Sequence, residues 1–393
     1  MGIDYVVADH ANLTSSTKRC IQQEIPVSTP SPQIDTRLAQ LRAKLKEHKL
    51  DAIFISNPEN RRYLSGFTGT AGFLLISYEH QMLATDFRYV EQAEQEAPNF
   101  AIERITSKLD WMPKLALKMG VSNIGFEADD LTVAQYNIIR SIFSEIVDRG
   151  TASKLISTTG LVSGLRAIKD AVEQAFIQKA IDIADNVMDE ISVDLKPGVT
   201  EETVALRIET AMRQQGAESP SFPTIVGSGP NAARPHHRAG KRKIQEGETI
   251  VIDMGARYQG YCSDLTRTFY LGKHSDKFKR VYDIVLGAQL TAIETISTGM
   301  TGSEADKLAR LVINEAGYGD KFGHSLGHGV GLEVHESPGV GMNAVMKLED
   351  GMIFTVEPGI YISGWGGVRI EDIVMLQAGR ARVLSRSRKV VDL

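Results

Sequence analysis

Cysteine is nearly absent: Cys20 and Cys262 are the only two in 393 residues. Two cysteines exclude a disulfide framework and any cysteine-built zinc site, and they suit a reducing compartment. Long apolar runs are missing too, so no segment approaches membrane-spanning length. The first residues carry Asp4 and Asp9 and no apolar core, which is unlike a signal peptide. The opening Met-Gly-Ile-Asp-Tyr-Val lacks the Ser or Thr of a myristoylation site. The expected location is therefore cytoplasmic, and the Asn12-Leu13-Thr14 sequon carries little weight. An excess of either charge is also lacking. The formal net charge is −5, and the short basic group Arg238, Lys241, Arg242 and Lys243 reads as a solvated turn. Neither nucleic acid nor membrane is expected as a partner. No G-x-S-x-G stands between a strand and a helix, so a serine nucleophile elbow is not expected.

What is present is an ordinary globular composition, 42% hydrophobic and 24% charged, in a chain long enough for two domains. Residues 1–35 are polar and rich in Ser and Pro, and read as a flexible extension. From there to about 165, candidate strands at 51–56, 72–77, 82–84, 101–105 and 123–127 alternate with helical patterns at 86–97, 110–120 and 132–143. Leu38, Leu41 and Leu45 add a further helical stripe. That alternation predicts a small α/β domain over 36–165. It holds no convincing catalytic constellation, so its expected work is to shape an active-site rim and subunit contacts. Asp170 with Glu173 is a capping-box start for a long helix running to about Leu195, opening a second domain over 166–393.

The second domain contains an internal repeat. PGVTEETVALRIETAMRQQGAE (197–218) and TGMTGSEADKLARLVINEAGYG (298–319) each read as a glycine turn, a hydroxyl N-cap, an amphipathic helix and a glycine stop. A glycine-rich, histidine-bearing stretch follows each, at 226–237 and 323–336. Then comes an apolar strand with an acid six residues after its first glycine: Asp253 in GETIVIDMG (247–255) and Glu357 in GMIFTVEPG (351–359). A second strand in each copy carries another acid, Asp264 in 262–271 and Glu371 in 367–376. A pseudo-twofold would face two hairpins, one carboxylate per strand, across one cleft. A buried carboxylate must be paired or bind a cation. Four acids with only Arg267 and Arg369 nearby favour a cation.

Two patterns mislead. GSGPNA (227–232) imitates a dinucleotide fingerprint, but Pro230 and the lack of a following helix argue against it. HSLGH (324–328) has zincin spacing without the zincin Glu, and its glycines interrupt any helix.

The residues IVIDMG (250–255), YCSDLTRTF (261–269), HSLGHGVGLEVHE (324–336), TVEPGIY (355–361) and GVRIED (367–372), in that order, resemble the creatinase-like "pita-bread" metallopeptidases. The similarity extends over roughly residues 36–385. YLSGFTGTAGFLLIS (63–77) and TDFRY (85–89) resemble that family's N-terminal domain. The branch is the one holding aminopeptidase P and prolidase. Arg369 stands where methionine aminopeptidases usually carry Gln, and those relatives lack the N-terminal domain. The resemblance implies an α+β chain: a creatinase-type α/β domain before a pita-bread catalytic domain with pseudo-twofold symmetry.

It further implies two divalent metal ions per chain, held by Asp253, Asp264, His328, Glu357 and Glu371, with Asp264 and Glu371 bridging. His236, His324, His335 and Arg369 fall at substrate-side positions, although His237 adjoins His236. An oxygen-rich set with one imidazole and no thiolate suits manganese first, with cobalt, iron or zinc as alternatives. Cys262, two residues from Asp264 on the same strand face, is expected to pack in the core. Glu357, His335 and His236 are the expected catalytic groups: Glu357 as proton shuttle, His335 beside the oxyanion, His236 with His324 positioning substrate. For His324 a structural bond within its glycine-rich loop is an equal reading. The implied substrate is a peptide with proline second, and the implied assembly is a homodimer or higher homo-oligomer.

Between the two activities of the branch, the run HESPGVG (335–341) lacks the Arg that some prolidases carry there for a dipeptide carboxylate. That favours an Xaa-Pro aminopeptidase over an Xaa-Pro dipeptidase, although Arg234 or Arg238 could supply the charge. A non-catalytic peptide-binding module of the same fold and a metal-free, creatinase-type hydrolase are the remaining alternatives, and an intact ligand set weighs against both.

Overall fold

The computed structural model describes residues 32–106, 109, 111–147 and 154–389. The extension expected over 1–35 lies outside these residues except for its last four, and those are helical. Pro32 tolerates a first helical turn because its missing N–H needs no partner there, and Asp35 faces the positive helix end.

The N-terminal part runs α1 (Pro32–Glu47), β1 (Ala52–Ile55), α2 (Pro58–Ser65), β2 (Phe73–Ser77), β3 (Gln81–Thr85), α3 (Val90–Glu96), β4 (Ala101–Arg104), α4 (Trp111–Lys118), β5 (Asn123–Glu127), α5 (Val133–Val147), β6 (Lys154–Thr158) and α6 (Leu161–Arg166). Its six strands form one mixed sheet in the order β4-β3-β2-β1-β5-β6. Leu38, Leu41 and Leu45 are buried against one sheet face, and Trp111, Met112 and Leu115 against the other. The helix expected from residue 86 begins only at Val90. Asp86 instead accepts from the Arg88 backbone N–H at 3.0 Å and from its guanidinium, which holds a turn. Helix α2 was not legible as a periodic pattern; Asn57 starts it by capping Asn60 N–H at 2.8 Å.

The C-terminal part runs α7 (Ala171–Ser192), α8 (Glu201–Gln214), β7 (Ser219–Pro220), β8 (Ile225–Ser228), β9 (Thr249–Met254), β10 (Ala256–Tyr258), β11 (Tyr261–Cys262), β12 (Leu265–Tyr270), α9 (Asp276–Thr295), α10 (Gly302–Glu315), β13 (Gly327–Gly329), β14 (Glu336–Val340), β15 (Ile353–Val356), β16 (Gly359–Ile362), β17 (Gly366–Arg369), β18 (Asp372–Gln377) and β19 (Arg380–Val383). The Asp170–Glu173 capping box opens α7, and a second one, Thr301–Glu304, opens α10. Gly216 and Gly317, the stops of the two repeated helices, both hold left-handed backbone.

The repeat is larger than the sequence pattern indicates, because α9 stands to α10 as α7 stands to α8. Sheet β12-β9-β8 in the first copy matches β18-β15-β13 in the second. The helix pairs lie outside, each over its own apolar core, and the strands meet inside. A third core runs from α1 through Ile177, Tyr261, Leu332 and Ile373, so the two parts share buried surface.

One strand expectation is corrected in both copies. The second strand of each hairpin is interrupted at its acid: Asp264 lies between β11 and β12, and Glu371 between β17 and β18. Glu371 N–H turns instead to Thr266 O at 3.2 Å, across the line between the two copies. Cys262 therefore does not share a continuous strand with Asp264; it packs in the interdomain core. The glycine-rich stretch expected as loop also contains a strand, β13. A Cβ on Gly327 would lie 1.9 Å from Thr355 O, and one on Gly329 2.3 Å from Ser337 O. The glycines flank His328 because two neighbouring strands press against that backbone.

Candidate metal centre

Asp253 projects from β9, Asp264 from the break before β12, His328 from β13, Glu357 from the end of β15 and Glu371 from the break before β18. All five line one cavity of about 710 Å³. Donor atoms of Asp264, His328 and Glu371 lie within 4.8 Å of one another. His328 Nε2 stands 3.2 Å from Glu357 Oε1 and 3.6 Å from Asp264 Oδ2. Its other nitrogen, Nδ1, lies 3.2 Å from the Gly329 carbonyl, which fixes the tautomer with Nε2 free for a ligand.

The electrostatics call for a cation. Burial, followed by the neighbouring carboxylates, pushes the Asp264 and Glu371 carboxyls well above the ordinary range. Asp253 is raised by burial and by Glu357, with Arg369 pulling against them. Burial also acts upward on Glu357, but His328, His324 and Arg369 together outweigh it and hold Glu357 at about 2. Two oxygens, Asp253 Oδ1 and Glu371 Oε1, are buried with no hydrogen-bond partner among the described residues. Orphaned carboxylate oxygens at a convergence of acids are costly unless a cation lies between them. The residues present thus fit divalent metal ions.

Arg369 is the one cation in this cluster. Its Nη2 meets Asp253 Oδ2 at 2.5 Å, Nε meets Thr266 Oγ1 at 3.1 Å and Nη1 meets the Tyr361 hydroxyl at 2.9 Å. Arg267, counted from sequence as a second neutralising charge, turns away to Asp372 Oδ1 at 2.9 Å and Ser387 O at 2.7 Å. Four acids therefore share one arginine.

Both ring nitrogens of His324 are occupied. Nδ1 donates to Ser325 O at 2.7 Å, and Nε2 accepts from the Tyr361 hydroxyl at 2.9 Å. Burial lowers its pKa; the contact to Ser325 O is the loop bond expected of it, and it also lines the cavity. His335 stacks edge-on to His328, ring centroids 4.1 Å apart. Burial, with His328, lowers its pKa as well. His236 and His237 both line the cavity; His236 is exposed, and His237 Nε2 is tied to the buried Glu201 carboxylate at 2.8 Å.

Three site residues escaped sequence reasoning. Thr266 donates to Glu371 Oε2 at 2.6 Å, Thr355 to Glu357 Oε1 at 3.1 Å, and Tyr361 joins Arg369 to His324. A partial signal existed for the threonines: each lies two residues from an acid in sequence, Asp264-Leu265-Thr266 and Thr355-Val356-Glu357.

A cleft of this chemistry between two copies of one folding unit is that of a metal-dependent hydrolase. Metallopeptidase family M24 matches residues 175–378, and the Creatinase/Prolidase N-terminal domain matches residues 37–168. The chain belongs to metallopeptidase family M24, with the creatinase-like pita-bread fold. It is 40% identical to the uncharacterized peptidase YqhT of Bacillus subtilis over 90% of this chain and 98% of that one. Among solved structures, an Xaa-Pro dipeptidase from Bacillus anthracis superimposes with a TM-score of 0.86 at 43% identity, covering 91% of this chain and 99% of that one. An X-Pro aminopeptidase from Thermotoga maritima gives 0.82 at 37% identity, covering 90% and 98%. Among the described residues, no helix is long and apolar enough to cross a membrane.

Proposed function

We propose that this protein releases the first residue from peptides with proline in second position, using two divalent metal ions, with manganese preferred. The observation that carries the reading is the convergence of four carboxylates and His328 on one cavity. The exopeptidase class rests on the relatives named dipeptidase and aminopeptidase. The proline preference comes from relatives named Xaa-Pro dipeptidase and X-Pro aminopeptidase. An X–Pro amide offers no N–H, so a site for it must grip the carbonyl side and the ring.

When bound, the cations supply Lewis acidity and make water a nucleophile near neutral pH. Glu357, held ionised, accepts the proton of the attacking water and returns it to the proline nitrogen as the C–N bond breaks. His335, which lines the cavity and makes no hydrogen bond among the described residues, offers its N–H to the carbonyl oxygen as negative charge develops there. Arg369 keeps Asp253 oriented, and the His324–Tyr361 pair forms the wall against which substrate lies. His236, exposed and lining the cavity, positions the substrate. Assembly as a homodimer belongs to the same reading, and light scattering tests it.

The preference for longer peptides rests on the 335–341 run, which carries no arginine at the cavity. Arg238 supports the dipeptidase reading: it lines the cavity, and Arg234 does not. The deciding experiment is mass-spectrometric product analysis with manganese, offering an X-Pro dipeptide together with an X-Pro-Y-Z tetrapeptide. Loss of the first residue from the tetrapeptide is expected. Cleavage of the dipeptide alone makes the protein a dipeptidase, and cleavage of neither by metal-loaded protein refutes the proposal.

A further inference from the structure

A second concentration of buried charge lies where the two domains join, behind the cavity. Arg166, at the end of α6, and Lys169, just after it, are both almost wholly buried and converge on Glu336. Lys169 Nζ is 2.8 Å from Glu336 Oε1, Arg166 Nη2 meets Glu336 Oε2, and the same Nη2 reaches Glu333 at 2.9 Å. Arg166 also extends the other way. Its Nη1 donates to Asn60 Oδ1 at 2.8 Å, and Asn60 Nδ2 donates to Glu127 Oε1 at 2.6 Å. The second Glu127 oxygen accepts from the Ser56 and Asn57 backbone N–H groups at 2.8 Å each. An unbroken polar chain thus runs from β5 and α2 of the N-terminal domain to the first residue of β14.

A buried ionic cluster of this kind is a poor source of stability, since well-packed apolar side chains do as well, so what it fixes is of more interest than what it contributes. Glu336 directly follows His335. It pairs with Gly329 just after the register shift that follows His328. The two histidines whose rings touch are therefore carried on the strand pair that this cluster pins. His335 itself makes no hydrogen bond among the described residues, so its ring goes where its backbone places it. It is also shared between the metal cavity and a polar cleft of about 430 Å³ lined by Asn60, Glu127, Arg166 and Glu336.

We infer that Asn60 and Arg166 are positioning residues for His335, and that the N-terminal domain sets the place of this imidazole through the chain Glu127–Asn60–Arg166–Glu336. The role of the imidazole in turnover rests on the proposed peptidase reading; its placement does not.

The test is a double-mutant cycle in the full-length, manganese-loaded protein, with Asn60→Ala, His335→Ala and both together, and Ala-Pro-Ala-Ala as the probe. Asn60→Ala should lower kcat about tenfold with KM within about twofold, the scale of a misplaced reacting group. In the His335→Ala background Asn60→Ala should have no further effect, because the two act as a unit. Effects that multiply, or an Asn60→Ala protein with wild-type kcat, overturn the inference. If Asn60→Ala does not fold, Glu127→Gln takes its place in the same cycle with the same outcomes. Independently of activity, the ring C–H resonance of His335, identified by its loss in His335→Ala, should move in metal-free Asn60→Ala protein. An unmoved resonance overturns the inference. If wild-type protein cleaves no peptide, the functional proposal fails and the resonance still decides this one.

Discussion

Arg369 Nη2 stands 2.5 Å from Asp253 Oδ2, at the floor of a cluster of four acids in which no other arginine takes part. The same guanidinium reaches Thr266 and Tyr361, so one planar group orients a carboxylate from the first repeat and a tyrosine from the second. Breaking a buried pair of this kind leaves Asp253 uncompensated, a loss of about 3–5 kcal/mol. Arg369→Ala should accordingly lower kcat/KM by at least about a hundredfold. Arg369→Lys should recover only part of it, because a single ammonium cannot make the forked contacts. Steady-state kinetics with metal content measured alongside checks both; full activity in Arg369→Lys would show that charge alone is needed.

Tyr361→Phe removes only the hydroxyl between Arg369 and His324. His324 Nε2 then loses its donor, and its ring is freer to turn. A decrease in kcat of about tenfold is expected, in line with about 1.4 kcal/mol for a buried hydrogen bond at its upper range. Thermal stability should change little, since the ring and its packing stay. A variant as active as wild type would reduce His324 to a space-filling residue.

Without metal, the acid cluster should make the fold pH-sensitive in a defined sense. Asp264 and Glu371 have folded pKa values raised above their unfolded ones. The folded state then holds more protons, so their contribution is complete below about pH 4 and is lost as pH rises through the raised values. Glu357 acts oppositely: its folded pKa is about 2, so its contribution is present above the unfolded value and lost as pH falls toward 2. Chelated protein should therefore lose Tm as pH rises above about 4. The double variant Asp264→Asn with Glu371→Gln should show a flatter profile. An identical slope in both would place the sensitivity elsewhere.

Restoring metal should reverse that slope, because ionised carboxylates are what a cation binds. At a free metal concentration a hundred times Kd, one site adds about 2.7 kcal/mol to the folded state. For a domain of this size that amounts to a rise of about 5–10 °C in Tm. Differential scanning calorimetry of chelated and manganese-loaded protein measures it. Glu371→Gln, which lacks one of the two carboxyls raised by crowding, should give a smaller rise.

Much of this arrangement was readable in the sequence because the repeat places like residues at like distances. Asp253 and Glu357 each lie six residues after a glycine, and each ends an apolar run, so strand periodicity alone sets them on facing hairpins. Periodicity could not show where a strand stops. Asp264 and Glu371 sit at breaks; the Glu371 N–H crosses to Thr266 O, and a crossing bond leaves no mark on local spacing. Gly327 and Gly329 imitated a loop for a similar reason: a strand squeezed between two others needs glycine, and composition reads glycine as a turn. The direction of Arg267 was equally hidden, since the partner that draws it away, Ser387, is 120 residues distant. The tie of His237 to the buried Glu201 was hidden as well, since no motif signals the place of that acid.

The length of the preferred peptide turns on Arg238. It is exposed, lines the cavity and makes no ion pair with any described residue. A dipeptide bound with its scissile carbonyl at the acid cluster has its carboxylate one residue further along the same cavity, which Arg238 also lines. A tetrapeptide carries its carboxylate past that point and presents a neutral amide there instead. Arg238→Ala should therefore raise KM for an X-Pro dipeptide by about tenfold, the worth of one exposed charge-assisted contact, and leave KM for an X-Pro-Y-Z tetrapeptide unchanged. Equal loss on both peptides would mean that Arg238 serves the cavity rim and not the substrate carboxylate. No loss on either would leave the cavity without a carboxylate grip, as the arginine-free run 335–341 implies for an enzyme of longer peptides.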